Sequence, residues 1–229
     1  MGILPKSFYE SNDVLSLSKQ LLGKTLHTNI DDQHTAGIIV EVEAYLGTID
    51  TACHAWNGRK TKRTEILYRQ GGLAYVYFTY GMHYMLNFTT GYLENANCIL
   101  IRGIQPIIGE ETMKERRKQS KVSSDLTAGP GRLTQALSIN KDHYGEDLTS
   151  GEVIWVTDEK YSEFEHIELE TGPRIGIGES GPDVLQPWRF WIKGNKYVSK
   201  APKLKQAITQ IQNPAYFPPV KLNRLNKKK

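Results

Sequence analysis

The sequence predicts an α+β fold, a single mixed domain of several antiparallel strands and a few helices with a protruding β-hairpin. Three observations point this way. Short apolar runs with strand character recur along the chain, among them GIIVEVEAYLG, NCILIRGIQP and EVIWVTD. Two aromatic-rich runs meet at Tyr80-Gly81-Met82-His83, a hairpin signal in which Gly81 can supply a positive φ. No βαβ dinucleotide pattern and no internal repeat is present, and no linker divides the chain.

The elements follow in order. Ser11, Asn12 or Asp13 can cap a helix through VLSLSKQLLG, which Gly23 ends. GIIVEVEAYLG is a strand with Ile38, Val40, Val42 and Ala44 on one face and Ile39, Glu41, Glu43 and Tyr45 on the other. The stretch from Gly47 to Lys62 is polar and without period, a long loop of the kind that often carries function. LAYVYFTYGMHYMLNFTTG forms the hairpin, and NCILIRGIQP is a further strand. GEETMKERRKQ is a charged helix, and GPGRLTQALSI opens a helix with Pro130 and Gly131. EVIWVTD, IELETGPRIGIG and RFWIKG are strands. Residues 1–212 form the domain, and 213–229 a basic, proline-containing tail.

Composition narrows the classes. The chain has 229 residues, 39% hydrophobic and 24% charged, enough for a sizeable core without staples. Cys53 and Cys98 form no CxxC pair and read as reduced thiols. No Cys/His set has metal-ligand spacing, so neither metal nor cofactor is expected. The N-terminus lacks a signal-peptide pattern and no run reaches membrane-spanning length, so the expectation is a soluble, cytoplasmic monomer. Net charge is only +4, but it is segregated. Lys114, Arg116, Arg117, Lys118 and Lys121 crowd one segment, and Lys221, Arg224, Lys227, Lys228 and Lys229 close the chain. Such clusters make a basic footprint for nucleic acid or, more simply, a solvated helix face and a tail.

Several polar residues stand in chemically suggestive places. Glu43 beside Tyr45 is a candidate general base, and a surface glutamate is the plain alternative; Glu41 reads as such a surface residue. His54 in the long loop stacks, donates a hydrogen bond or caps the loop. Tyr75, Tyr77, Tyr80 and Tyr84 are denser than a core needs, and aromatic faces are platforms for bases. Tyr80 at the hairpin tip has no core to fill and is a wedge candidate. Asn87 and Arg102 interrupt apolar strands, and either ties loops together or points into a site.

At VEVEAYLG, CHAWNGRKTKR, YVYFTYGMHYMLN, LIRGIQPIIG and GPGRLTQAL the sequence resembles the alkyladenine (3-methyladenine) DNA glycosylase family, of the mammalian-type fold and not the helix-hairpin-helix type. The likeness runs in order from about Leu21 to about Trp191. It implies a mixed domain with a curved antiparallel sheet, and a hydrolase that starts base excision repair on double-stranded DNA containing damaged purines. Glu43 stands where the family has its water-activating glutamate, and Arg102 where an arginine helps hold that water. Tyr45, His54 and Tyr77 occupy the base-stacking positions. Tyr80 takes the place of the tyrosine that fills the vacated stack. Asn87 matches the asparagine that rejects the amino group of guanine. Thr64-Glu65 departs from an Arg-Asn pair, which bears on substrate range more than on the reaction, and Cys53 departs from Ala or Ser, which its small size makes tolerable. A non-cleaving distortion sensor and a carbohydrate- or RNA-directed hydrolase are the rival classes. The presence of Glu43 with Arg102 argues against the first, and the tip tyrosine with Asn87 against the second.

Overall fold

A computed structural model describes residues 2–159, 161, 164, 166–178 and 181–200; the tail and the boundary at residue 212 lie outside them. Two short helices open the fold, α1 (Lys6–Tyr9) and α2 (Val14–Leu21). Asp13 is the cap of α2, its side chain accepting from the Ser16 N–H, and α2 buries Val14, Leu17 and Leu21. Two strands follow, β1 (Thr25–Ile30) and β2 (Gln33–Tyr45), joined through Asp31 and Asp32 with φ of 55° and 57°. The sequence reading missed β1. TLHTNI is short and mostly polar, and its turn is Asp-Asp, where the usual signal is Asn-Gly or Asp-Gly.

The remaining elements are β3 (Ala74–Thr79), β4 (His83–Thr90), β5 (Asn97–Ile108), α3 (Glu110–Arg116), α4 (Pro130–Ala136), β6 (Ile154–Thr157), β7 (Leu169–Gly172) and β8 (Arg189–Ile192). One antiparallel sheet runs β3-β4-β5-β2-β1-β6, and β8 joins it on β2 and carries β7. The sheet curls, and the fold is α+β as expected. The β3–β4 hairpin projects from its end, with Thr79 paired to His83 and Tyr80 and Gly81 both at positive φ. Helix α4 starts where Gly131 lets the chain approach the His83 ring; a Cβ there would come within 2.7 Å of it.

Strand β2 organises the molecule. One edge pairs with β5 along its length, while the other is shared between β1 at Gln33–Ile38 and β8 at Glu41–Glu43. Register shifts flank Glu41 in the β2–β5 ladder, which pairs Glu41 with Gly103 and Val42 with Ile101 and so leaves Arg102 without a ladder partner. Covered on both faces, Glu41 is fully buried. That corrects the reading of Glu41 as a surface glutamate: alternation identifies a polar face, but other segments cover that face here. A second correction concerns IELETGPRIGIG, in which only Leu169–Gly172 is strand. Pro173 has no N–H to give a ladder, and Gly176 and Gly178 take φ of 78° and 62°, so the chain leaves the sheet as a loop.

Arg174 fastens that loop. Its guanidinium donates to both carboxylate oxygens of Asp50 and to the Ala44 carbonyl, and both side chains of the pair are fully buried. Removing one partner strands a buried charge. Asp50→Ala is therefore expected to lower the unfolding free energy by about 3–5 kcal/mol, read from urea denaturation followed by circular dichroism.

Candidate active site

Segments distant in sequence converge on one cavity of about 540 Å³, within the range of small-ligand sites. Strand β2 ends there with Tyr45, β3 brings Tyr77 and Thr79, β4 brings Met85 and Asn87, and β5 brings Cys98, Leu100 and Arg102. The long loop adds Cys53, His54, Trp56 and Arg59, and the Pro173 loop adds Ile175, Gly176 and Ile177. Six of the seven residues singled out from sequence, namely Tyr45, His54, Tyr77, Tyr80, Asn87 and Arg102, line this cavity.

The seventh, Glu43, lies one side chain behind the wall and is 0% exposed. Its Oε2 accepts from the Tyr45 hydroxyl at 2.9 Å, and its Oε1 accepts from the Ile175 N–H at 2.6 Å. Arg102 Nη1 stands 3.2 Å from Oε1. Burial pushes the hydroxyls of both Tyr45 and Tyr77 upward, with the Glu43 charge adding to the effect. Both therefore remain neutral phenols able to donate.

His54 is held from two sides. Arg63 has only donors, so the contact of its Nη2 with His54 Nε2 at 3.3 Å makes Nε2 the acceptor. The neutral ring then carries its proton on Nδ1 and donates it to the Tyr75 hydroxyl at 2.8 Å. The ring stands edge-on to Tyr77, with centroids 4.7 Å apart. Arg63 lies over the Tyr77 ring at 4.7 Å, and Arg174 over the Tyr45 ring at 4.6 Å. Each arginine thus fixes the tilt of an aromatic wall.

Asn87 is buried and its Nδ2 donates to the Tyr75 carbonyl at 3.1 Å, so it both braces the hairpin and faces the cavity. Tyr80 is 69% exposed at φ 52°, an unfavourable backbone state for a bulky residue. Its hydroxyl donates to the Gly176 carbonyl at 2.9 Å, bridging the hairpin to the opposite loop.

Sequence reasoning missed four contributors: Asp50, Arg174, Ile175 and Arg189. An arginine inside the small, apolar run GPRIGIG was the available signal, since a charge there needs a buried partner. The Thr64 departure is a turn feature, with its hydroxyl donating to the Arg59 carbonyl and accepting from the Thr61 N–H. The basic segment 114–121 does not line the cavity, and Arg116 spends its guanidinium on the carbonyls of Ala136 and Ile30. No helix among the described residues is long and apolar enough to cross a membrane.

Comparisons with known proteins agree on one family. Residues 7–196 match the family model for methylpurine-DNA glycosylase (MPG). A Chlamydia felis protein named "Putative 3-methyladenine DNA glycosylase" is 43% identical over 195 residues, covering 85% of this chain and 98% of its own. A Bacillus licheniformis protein of the same name is 42% identical over 86% of this chain and 96% of its own. One from Bacillus subtilis, again so named, is 39% identical over the same shares.

The His54 environment generates a stability prediction. Burial, then Arg63 and Arg59, hold its pKa down at about 4, against 6.5 for an ordinary histidine. Between those values the unfolded chain binds the proton and the folded one does not. The contribution of this group to stability is therefore full above 6.5 and is lost as pH falls through about 4. The melting temperature is expected to drop across that window, and His54→Gln to reduce the drop, as differential scanning calorimetry at stepped pH would record.

Proposed function

The chain belongs to the methylpurine-DNA glycosylase family, DNA-repair hydrolases of N-glycosyl bonds, and from that premise we propose that it flips damaged purines of the 3-methyladenine, 7-methylguanine and hypoxanthine class from duplex DNA and releases them with a water activated by Glu43. The observation that carries this reading is a carboxylate, held by two hydrogen bonds and an ion pair, directly behind an aromatic cavity large enough for a purine.

The roles follow from the surroundings. Tyr45, His54 and Tyr77 sandwich the flipped base, and their electron-rich faces attract a purine made cationic by alkylation. Such a base leaves without a general acid, which accords with one carboxylate where glycoside hydrolysis usually needs two. Arg102 orients Glu43 and the water beside it. Asn87, fixed by its bond to Tyr75, excludes the amino group of guanine. No lysine lines the cavity among the described residues, which supports a monofunctional reaction without a lyase step. The products are a free base and an abasic site, formed by a single copy of the chain acting in the cytoplasm.

Tyr80 exchanges its bond to Gly176 for the space left in the base stack. Its backbone strain and exposure support a role outside the core. The basic segments bind phosphates, so affinity falls with salt.

Two measurements test the reading. Glu43→Gln is expected to slow single-turnover release from methylated duplex by roughly 10²–10⁴ while DNA binding persists; an unchanged rate removes Glu43 from the mechanism. Tyr80→Ser is expected to weaken flipping by about 1–3 kcal/mol, more in a stable pair than in a mismatch, as a fluorescent base beside the lesion reports. Equal defects in both contexts would assign Tyr80 to the fold.

A further inference from the structure

Glu41 is a second fully buried carboxylate, two residues before Glu43 on β2 and outside the reaction described so far. Its partners are unusually complete. Oε1 accepts from Arg102 Nε at 3.1 Å, Arg189 Nη1 at 2.9 Å and the Ser199 hydroxyl at 2.7 Å, and Oε2 accepts from the Ser199 N–H at 2.6 Å. Arg102 therefore lies between two glutamates, its Nε end on Glu41 and its Nη1 on Glu43 at 3.2 Å. Arg102 Nη2 also reaches the Ser199 hydroxyl at 3.2 Å.

We propose that Glu41 is a positioning residue for the reaction: by holding the Nε end of Arg102, it fixes how much of the guanidinium charge Glu43 receives. Glu41, Glu43, Arg102 and Arg189 form a buried set whose charges sum to zero. A carboxylate that works as a base must not be over-neutralised by its own arginine, because a stronger ion pair weakens its basicity. Glu41 competes for that arginine and prevents this. Arg189 in turn shares Glu41, and its guanidinium is backed by the Trp191 ring at 4.1 Å. Removing Glu41 leaves the set with two cations and Glu43 as its one carboxylate, and Arg102 with Glu43 as its one acidic partner. Removing Arg189 leaves Glu41 wholly to Arg102. The two changes push Glu43 in opposite directions, which a merely structural role does not do.

The charged and titratable groups around Glu43 are Glu41 and Tyr45 on its own strand, Arg102 on β5, Tyr77 on β3, Arg174 on the Pro173 loop, and Arg189, its register partner on β8.

The inference rests on Glu43 being the base, and the test separates the two claims. Single-turnover release of 7-methylguanine from duplex DNA is measured from acid to neutral pH for the parent, Glu41→Gln, Arg189→Gln and Glu43→Gln. This substrate carries a fixed charge at N7 and titrates only at N1 near neutrality, so its own protonation does not enter the acid limb. Melting temperature and binding to a duplex with a tetrahydrofuran abasic site are recorded for each. Glu41→Gln is expected to move the acid limb down by about one pH unit, and Arg189→Gln to move it up by about as much, with abasic-site binding retained. If Glu41→Gln does not fold, the upward shift in Arg189→Gln carries the result, and an unmoved limb there overturns the proposal. Limbs that stay in place, or shift together in one direction, also overturn it. If Glu43→Gln releases base at the parental rate, the reading of Glu43 as base fails. If Glu43→Gln is inactive while the other limbs are unmoved, the positioning role alone fails.

Discussion

Burying acid in the middle of a sheet is the constraint on which this molecule turns. Strand β2 carries Glu41 and Glu43 fully covered, and the loop that follows carries Asp50 equally so. An unpaired buried carboxylate costs several kcal/mol. Three arginines answer them from three other places: Arg102 from the neighbouring strand, Arg189 from β8 and Arg174 from the loop after β7. The course of the last quarter of the described chain follows from this. It crosses β2 so that its cations meet those acids, and in crossing it delivers Ile175, Gly176 and Ile177 to the cavity.

Hydrophobic packing sets the rest at lower cost. The apolar face of β2, with Ile38, Val40, Val42 and Ala44, shares one core with α2, α4 and the inner faces of β4 and β5. Satisfying the charges thus fixes the polar side of the strand, and excluding water fixes the other. One aromatic wall gains rigidity from an arginine that neutralises an acid, since Arg174 bonds Asp50 and also lies over Tyr45.

How much of this was legible in sequence depended on whether the signal was local. The capped start of α2, with Asp13 one of three candidates, the hairpin around Tyr80-Gly81 and the aliphatic face of β2 are short-range patterns that the sequence carries. The convergence of Tyr45, His54, Tyr77, Tyr80, Asn87 and Arg102 on one cavity was legible only through family resemblance, because no spacing rule links residues on separate strands. Glu41 was misread for the same reason. Alternation marks a polar side, but whether that side meets water is decided by segments more than a hundred residues away, where Arg189 and Ser199 lie. The Pro173 loop was misread because apolar residues in PRIGIG mimic a strand, while the missing donor and the glycine angles forbid one.

The placement of the compensating cations has a consequence for biosynthesis. A ribosome delivers Glu41, Glu43 and Asp50 early and the arginines at 174 and 189 late. Until the late segment emerges, Arg102 is the single buried cation available to Glu41 and Glu43, and Asp50 has none. A half-made chain can pair β3, β4 and β5 but has no reason to dry the polar face of β2. In that order of synthesis the polar face of β2 gains its full set of compensating cations only after the segment carrying Arg174 and Arg189 has been made.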